Sequence, residues 1–222
     1  MNALDASGAA RSRVHDRERR TLEGFGYSCE ELDLRDHFAE REELPQRLAG
    51  LDLVWVVGGN AFVLARAMTR ARFRDALAAQ FPRREFTYGG CSAGACVAGP
   101  DLRGTDLIDD PAVLPDGYSP TAAPECLGLV PYRIVPHWRS GQPESGSANN
   151  AAAHLTEHGL AHRCLRDGEA VNAHDITGPA VRPTPRLPDP GEISRRAPNR
   201  WSTRPAGSRR TVISGGAGER RG

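Results

Sequence analysis

The pattern of apolar and polar residues along the first two-thirds of the chain predicts strands and helices in alternation. The run "LVWVV" at residues 53–57 is continuously apolar, as in a parallel strand buried on both faces, and it ends at Gly58. From Ala61 to about Phe81 apolar residues recur at helical spacing, and Asn60 is placed to cap the helix. This pattern predicts a strand followed by a glycine turn and a helix, with the strand at the centre of a sheet.

The flanking segments repeat this order. Residues 9–24 predict an exposed, Arg-rich helix, and "YSCEELDL" after it alternates like a strand. Residues 85–90 predict a short strand that runs into a glycine-serine turn, with a helix of small residues from Ala93. A further strand is predicted at "YRIVPH", residues 132–137. Such alternation favours an α/β fold with a mainly parallel sheet.

The C-terminal part of the chain has a different composition. Residues 172–222 are rich in Pro, Arg, Gly and Ser and show no sustained period of 2 or 3.6. Segments of this kind bury too little apolar surface to fold. We therefore predict one α/β domain over residues 1–171 and a tail without regular structure over residues 172–222.

Charge and composition exclude several classes of partner and ligand. A net charge of +1 over 222 residues gives no reason to expect binding to nucleic acid or to a membrane surface. No segment approaches the roughly 18 apolar residues of a membrane span, and no signal peptide is evident, so we predict a cytoplasmic protein. Five cysteines without CxxC spacing suggest neither a disulfide framework nor a zinc site. We expect no metal and no cofactor.

The segment "GCSAG" at residues 90–94 matches G-x-S-x-G, a strand-to-helix elbow that exposes a serine hydroxyl. Ser92 is at its apex, and the backbone N–H of Ala93, at the start of a helix, is a candidate oxyanion donor. Strand alternation directs Cys91 away from Ser92, which favours a packed thiol. A cysteine-dependent amidotransferase using Cys91 is the competing interpretation.

A serine nucleophile needs a base, and His137 is the best placed of the seven histidines because it ends the predicted strand "YRIVPH". The alternative interpretation of His137 is a partly buried structural histidine. The Gly58-Gly59 turn is either a close-packed turn or the source of a second oxyanion donor, the N–H of Gly59. The Pro- and Asp-rich segment 101–125 predicts a long surface loop, which we expect to lie over the site.

Three segments in this order, "VVGGNAFVL", "YGGCSAGACVAGPDLRGTDLIDDP" and "LGLVPYRIVPHWRSGQPES", resemble the peptidase E family of serine peptidases. This family includes the aspartyl dipeptidases and is related to cyanophycinases, and the similarity extends from about residue 2 to 171. The resemblance implies a three-layer sandwich like that of class I glutamine amidotransferases, with serine in place of cysteine. It also implies a buried strand ahead of residue 2, so the first strand is expected to be missing.

The resemblance implies roles for single residues. Ser92 is the expected nucleophile and His137 the expected general base. Asp106 best matches the acidic member of the triad, with Asp109 and Asp110 as alternatives.

Four other residues complete the expected site. The resemblance implies that the backbone N–H groups of Gly59 and Ala93 form the oxyanion hole. Asn60 and Arg103 are expected to contact the substrate. Together these assignments predict a serine peptidase that hydrolyses small peptides, as a dipeptidase does, and acts as a monomer or a dimer. The alternative is an impaired relative that serves as a binding module or is a non-functional fragment.

Overall fold

The computed structural model describes residues 8–39, 43–82, 86–118, 124–172 and 209–214. The strands are β1 (Tyr27–Glu31), β2 (Leu53–Val56), β3 (Thr87–Gly90), β4 (Arg133–Val135), β5 (His162–Cys164) and β6 (Arg209–Ser214). The helices are α1 (Gly8–Gly24), α2 (Glu43–Ala49), α3 (Ala61–Arg70), α4 (Phe73–Ala78), α5 (Ala93–Cys96) and α6 (Ser145–Glu157). Short 3-10 helices cover Leu34–His37 and Thr105–Leu107.

The strands form two parallel sheets. The larger sheet has the order β1-β6-β2-β3, and the smaller one pairs β4 with β5. The predicted α/β class with parallel strands is therefore confirmed. The strand predicted at residues 132–137 is present as β4, but it pairs with β5 in the smaller sheet. None of the helices in the described ranges is long and apolar enough to cross a membrane.

Strand β2 is covered on both faces, as its continuous apolar run predicts. Val54 and Val56 are fully buried in the core cluster that includes α3. Leu53 and Trp55, on the opposite face, pack in a cluster with Leu22 of α1. Alternate residues of one strand therefore face different helical layers, which places the end of β2 in the interior of the protein.

The prediction of a single helix from Ala61 to Phe81 is wrong, because the structure contains two helices, α3 and α4, over this range. Arg72 adopts a left-handed conformation with φ 53°, which ends α3 and starts α4. Phe73 and Leu77 beyond the break are each only 1% exposed. The apolar spacing continues into the core on both sides of the break, so periodicity alone does not reveal it.

Strand β6 lies between β1 and β2 and runs parallel to both. The prediction that residues 172–222 lack regular structure is therefore wrong for residues 209–214. The segment contains three consecutive β-branched residues, Thr211 to Ile213, which favour a strand, and neighbours on both sides supply its backbone hydrogen bonds. Residues 173–208 and 215–222 of the predicted tail lie outside the described residues.

A partly buried ion pair connects β4 to the segment that follows α5. Arg133, which is 7% exposed, binds Asp101 through two nitrogens, with Nε 2.6 Å from Oδ1. Arg103 donates to the same carboxylate from Nε and Nη2 at 3.0 and 2.9 Å. Burial raises the pKa of Asp101, but hydrogen bonds from Arg133 and Arg103 outweigh it and lower the pKa to about 2.

Replacing Asp101 with asparagine should destabilise the protein at neutral pH, because buried Arg133 loses its counter-charge. The folded pKa of about 2 is below the unfolded value of about 3.9. The carboxylate therefore contributes stability above about pH 4, and this contribution is lost as pH falls towards 2. Denaturant midpoints of wild type and Asp101→Asn should converge over that range.

The matched control for this titration is Asp75→Asn. Its carboxylate pairs with Arg72 at 3.0 Å, but both side chains are about two-thirds exposed, at 65% and 66%. Exposed pairs contribute little, so the midpoint should barely change at any pH. A difference in denaturant midpoint between wild type and Asp101→Asn that stays constant from pH 7 to pH 2 would contradict the assigned role of the carboxylate.

Candidate active site

Ser92 lies in a strained turn between β3 and α5. Its φ of 52° and ψ of −118° are angles that non-glycine residues rarely adopt. The turn is held by hydrogen bonds from Gly94 N to Cys91 O at 2.9 Å and from Cys96 N to Ser92 O at 3.0 Å. The strand, turn and helix that a G-x-S-x-G elbow requires are therefore all present.

Small residues allow α5 to approach β2. A Cβ atom on Gly94 would lie 2.1 Å from the carbonyl oxygen of Val56, and one on Gly90 would lie 2.3 Å from the carbonyl oxygen of Gly94. The Cys91 N–H donates to the same Val56 oxygen at 2.8 Å, and the Tyr88 hydroxyl donates to Gly94 O at 2.7 Å. The glycines of the motif are thus required for packing and fix the position of the Ser92 backbone.

His137 lies between Ser92 and a carboxylate. Its Nε2 is 3.2 Å from Ser92 Oγ, and its Nδ1 is 2.8 Å from Asp167 Oδ1. His137 follows β4 and Asp167 follows β5, and these strands are parallel neighbours. Their carboxyl ends meet at one edge, so the two turns bring the side chains together. A serine, an imidazole and a carboxylate in this order can transfer a proton away from the hydroxyl.

The carboxylate that contacts His137 Nδ1 belongs to Asp167 and not to Asp106, the expected acid. Asp106 is exposed in the 3-10 helix Thr105–Leu107. Asp109 accepts a hydrogen bond from Ala61 N at 2.8 Å. Asp110 O accepts one from Asn60 Nδ2 at 2.9 Å. These contacts hold the loop against the start of α3.

Asp167 gives little signal in the sequence. It follows the short strand "HRC", which has no apolar run, and it lies 30 residues from His137. An aspartate shortly after a strand is a signal for such a site, but the sequence pattern predicts no strand over residues 162–164.

The Gly58-Gly59 turn lies against Ser92. A Cβ on Gly58 would be 2.8 Å from Ser92 Cβ and 3.1 Å from Ser92 Oγ. Within the described part of the chain, the N–H groups of Gly59 and Ala93 donate to no protein acceptor, whereas Gly94 and Cys96 are bonded to carbonyls of the turn. Two unused backbone donors therefore come from the two segments that meet at Ser92.

The two predicted substrate contacts, Asn60 and Arg103, are engaged elsewhere in this structure. Asn60 is 8% exposed, and its Oδ1 accepts from Phe62 N and Val63 N at 2.9 and 3.0 Å. The predicted helix cap is therefore confirmed. Arg103 forms its ion pair with Asp101.

The long loop after α5 packs along α3. Arg66 donates to the carbonyl oxygens of Val113 and Pro111 at 3.1 and 2.7 Å, and Arg70 donates to Gly117 O at 2.6 Å. With the contacts of Asp109 and Asp110, these bonds keep the loop next to the Gly58-Gly59 turn.

Cys91 does not have the properties of an activated thiol. Burial raises the pKa of its thiol, and the nearby carboxylate of Glu18 raises it further. The thiol is therefore protonated near neutral pH, whereas a cysteine nucleophile needs a lowered pKa. This environment argues against the cysteine-dependent interpretation.

Replacing Gly58 with alanine should abolish any reaction at Ser92 and also lower the stability, because Ser92 Cβ is fixed to the backbone of a tight turn and cannot move aside freely. The new methyl group would overlap Ser92 Cβ and press on its hydroxyl, which displaces Oγ from His137. Activity and thermal unfolding should be measured together. Gly50→Ala is the control, because its Cβ would meet only Arg47 O at 3.8 Å, and it should behave as wild type. Equal activity in Gly58→Ala and Gly50→Ala would contradict this placement of Ser92.

Comparison with known proteins identifies relatives of this chain. A peptidase E from Streptomyces coelicolor is 41% identical over 99 residues, which cover 45% of this chain and 37% of that protein. A probable alpha-aspartyl dipeptidase from Drosophila melanogaster is 31% identical over 170 residues, which cover 72% of this chain and 64% of that protein. The matched stretches therefore span from about a third to under two-thirds of these relatives.

A protein of known structure has a fold similar to that of this chain. A crystal structure assigned to a peptidase E protein from Listeria monocytogenes EGD-e superposes with a TM-score of 0.57 at 22% identity. The match covers 69% of this chain and 70% of that one. The family model "Peptidase family S51" matches residues 5–178, which include Ser92, His137 and Asp167. This chain belongs to peptidase family S51.

Proposed function

We propose that this protein is a serine peptidase that hydrolyses small peptides, with Ser92, His137 and Asp167 as its triad. The observation that carries the proposal is the chain of contacts from Ser92 Oγ to His137 Nε2 at 3.2 Å and from His137 Nδ1 to Asp167 Oδ1 at 2.8 Å. The first distance is at the upper end of hydrogen-bond reach, as is common before substrate binds.

The proposed reaction follows from these positions. Ser92 Oγ attacks the peptide carbonyl while His137 Nε2 takes its proton, and Asp167 orients the ring and stabilises the imidazolium. The Gly59 and Ala93 N–H groups stabilise the tetrahedral oxyanion. His137 then protonates the leaving amine, and water releases the acyl group from Ser92 by the same steps.

The proposed substrates are dipeptides and other small peptides. Two observations support this class: the match to peptidase family S51, and the names of the relatives, peptidase E and alpha-aspartyl dipeptidase. Aspartyl dipeptides are therefore the first substrates to test.

We also propose the finer architecture, a three-layer sandwich of the class I glutamine amidotransferase-like type. The packing of β2 between the α1 cluster and the α3 cluster supports it. In this arrangement β6 takes a central position in the sheet, next to both β1 and β2. It would supply the kind of buried strand that the resemblance places ahead of residue 2.

A fluorophosphonate probe followed by peptide mass mapping tests the proposed function. An activated serine attacks the phosphorus and displaces the leaving group, so Ser92 should carry the label in the wild-type chain. The label should be absent from Ser92→Ala. An unlabelled Ser92 in folded protein, together with no hydrolysis of aspartyl dipeptides, would support the impaired binding module instead.

The acid assignment has its own test. Asp167→Asn should lower kcat for dipeptide hydrolysis by roughly 10³- to 10⁴-fold, because an amide does not hold the required tautomer or stabilise the imidazolium. Asp106→Asn is the matched control and should keep nearly full activity. If Asp106→Asn were the inactive variant and Asp167→Asn the active one, the triad would need to be reassigned.

A further inference from the structure

We propose that Arg139 and Arg166 form a binding site for the C-terminal carboxylate of the leaving amino acid. The proposal rests on the proposed peptidase function and names the feature of the substrate that the site selects. The ligand is the free α-carboxylate of a residue directly after the scissile bond. Such a site would make this chain prefer dipeptides over longer or C-terminally blocked peptides.

The two guanidinium groups lie over the same aromatic ring. Arg139 Cζ is 4.3 Å and Arg166 Cζ is 5.5 Å from the centroid of the Trp138 ring. Both arginines are exposed. Each guanidinium therefore lies within 5.5 Å of one ring centroid, and the two positive charges together favour the binding of an anion beside this ring.

No carboxylate within the described ranges forms an ion pair with either guanidinium. The acidic residues nearest to Arg166 in sequence are engaged otherwise. Asp167 contacts His137, and Glu169 Oε2 accepts from the backbone N–H of Arg166 at 2.9 Å. By contrast, Arg133 and Arg103 both bind Asp101. The pair on Trp138 therefore keeps its charge available for a ligand.

The backbone holds Arg139 in an unfavourable conformation. Its φ is 48°, in the left-handed region that arginine rarely adopts, and its N–H donates to Asn149 Oδ1 at 3.2 Å. Trp138 N donates to Leu165 O at 3.0 Å, which joins the turn after β4 to the turn after β5. Strain of this kind persists where surrounding contacts enforce it, and it often marks a functional site.

The chemistry of the leaving group indicates which carboxylate would bind here. His137 Nε2 must reach the amide nitrogen that departs, so the leaving residue lies beside His137. In a dipeptide the α-carboxyl carbon is two bonds from that nitrogen, roughly 2.5 Å away. Arg139 follows His137 by two residues and Arg166 precedes Asp167 directly, so both belong to the turns that carry the base and the acid. A guanidinium can bind a carboxylate through two parallel hydrogen bonds.

The test compares Ala-Leu with Ala-Leu amide, which lacks the terminal charge. Wild type should hydrolyse the free acid with a kcat/KM roughly tenfold or more above that of the amide, the effect expected of a charge-assisted hydrogen bond. In Arg139→Gln/Arg166→Gln this preference should fall close to one, through a higher KM for the acid and no change for the amide. Arg163→Gln, which removes an arginine from the Tyr132 ring, is the matched control and should keep the preference.

A binding measurement separates this proposal from the proposed function. Calorimetry on Ser92→Ala should show tighter binding of Ala-Leu than of its amide, and the two arginine substitutions should remove the difference. This readout needs no turnover, so it reports on the arginines even if wild type hydrolyses neither peptide. Equal binding of acid and amide to Ser92→Ala would overturn the proposal.

A second pair of ligands distinguishes the α-carboxylate from an acidic side chain. Asp-Leu and Asp-Leu amide both carry the aspartate side chain, but only the first has a free terminus. The arginine substitutions should weaken the binding of Asp-Leu and leave the binding of Asp-Leu amide unchanged. If the substitutions weaken the binding of both ligands alike, Arg139 and Arg166 recognise the aspartate side chain and the proposal is wrong.

Discussion

Replacing Ser92 with alanine should lower kcat for dipeptide hydrolysis by roughly 10⁴-fold or more, the scale seen when a triad member is lost. The substitution removes the hydroxyl oxygen that lies 3.2 Å from His137 Nε2. The turn itself is held by backbone hydrogen bonds and by close packing of Gly94 on Val56. The circular dichroism spectrum and the position of His137 should therefore be unchanged.

Ser92→Gly provides a second, independent variant for the same prediction. Glycine also removes the hydroxyl, but it tolerates the φ of 52° that strains serine and alanine. It should be as inactive as Ser92→Ala and unfold at a higher temperature than that variant. Substantial hydrolysis by both purified variants would rule out Ser92 as the nucleophile.

Proline at Val212 should give the largest loss of stability that we predict, with about 1–3 kcal/mol from the backbone acceptor that is left unpaired. Val212 lies in the middle of β6, opposite Glu30 of β1 and Val54 of β2. Proline has no N–H, so the substitution removes a ladder hydrogen bond from a strand with neighbours on both sides. Urea unfolding followed by tryptophan fluorescence should show a much lower midpoint.

Asp116→Pro is the matched control for this substitution. Tyr118 N donates to Pro115 O at 3.2 Å, and Gly117 has a φ of 82°, which together describe a turn with glycine at its third position. Proline is favoured at the second position of such a turn, so Asp116→Pro should leave stability unchanged or slightly raised. Equal midpoints for Val212→Pro and wild type would show that β6 does not contribute to the folded sheet in solution.

The features that the sequence predicts well are those that depend on neighbouring residues. The elbow at Ser92 is encoded within a few positions, because its backbone hydrogen bonds, such as that from Gly94 N to Cys91 O, join residues of the same turn. The Asn60 cap depends on N–H groups two and three residues further on. The continuous apolar run of β2 indicates burial on both faces without reference to its partners.

The features that the sequence leaves open depend on residues far apart in the chain. The apolar spacing from Ala61 to Phe81 does not reveal the break at Arg72, because both helices bury their apolar residues in one core. The composition of the C-terminal part hides β6, since a strand of six residues contributes little to the average of a long polar segment. Its place between β1 and β2 is decided by the backbone groups that those strands leave to be paired.

The sequence by itself determined the family resemblance, the strand-turn-helix elbow at Ser92 and the candidate base His137, since each is carried by a short motif with local geometry. Only the tertiary structure decided that Asp167, rather than Asp106, contacts His137 Nδ1. It also placed Arg139 and Arg166 on one tryptophan ring. The physical reason is the same in both cases: the parallel pairing of β4 with β5 brings together the turns that follow them, and no local pattern of residues encodes that pairing.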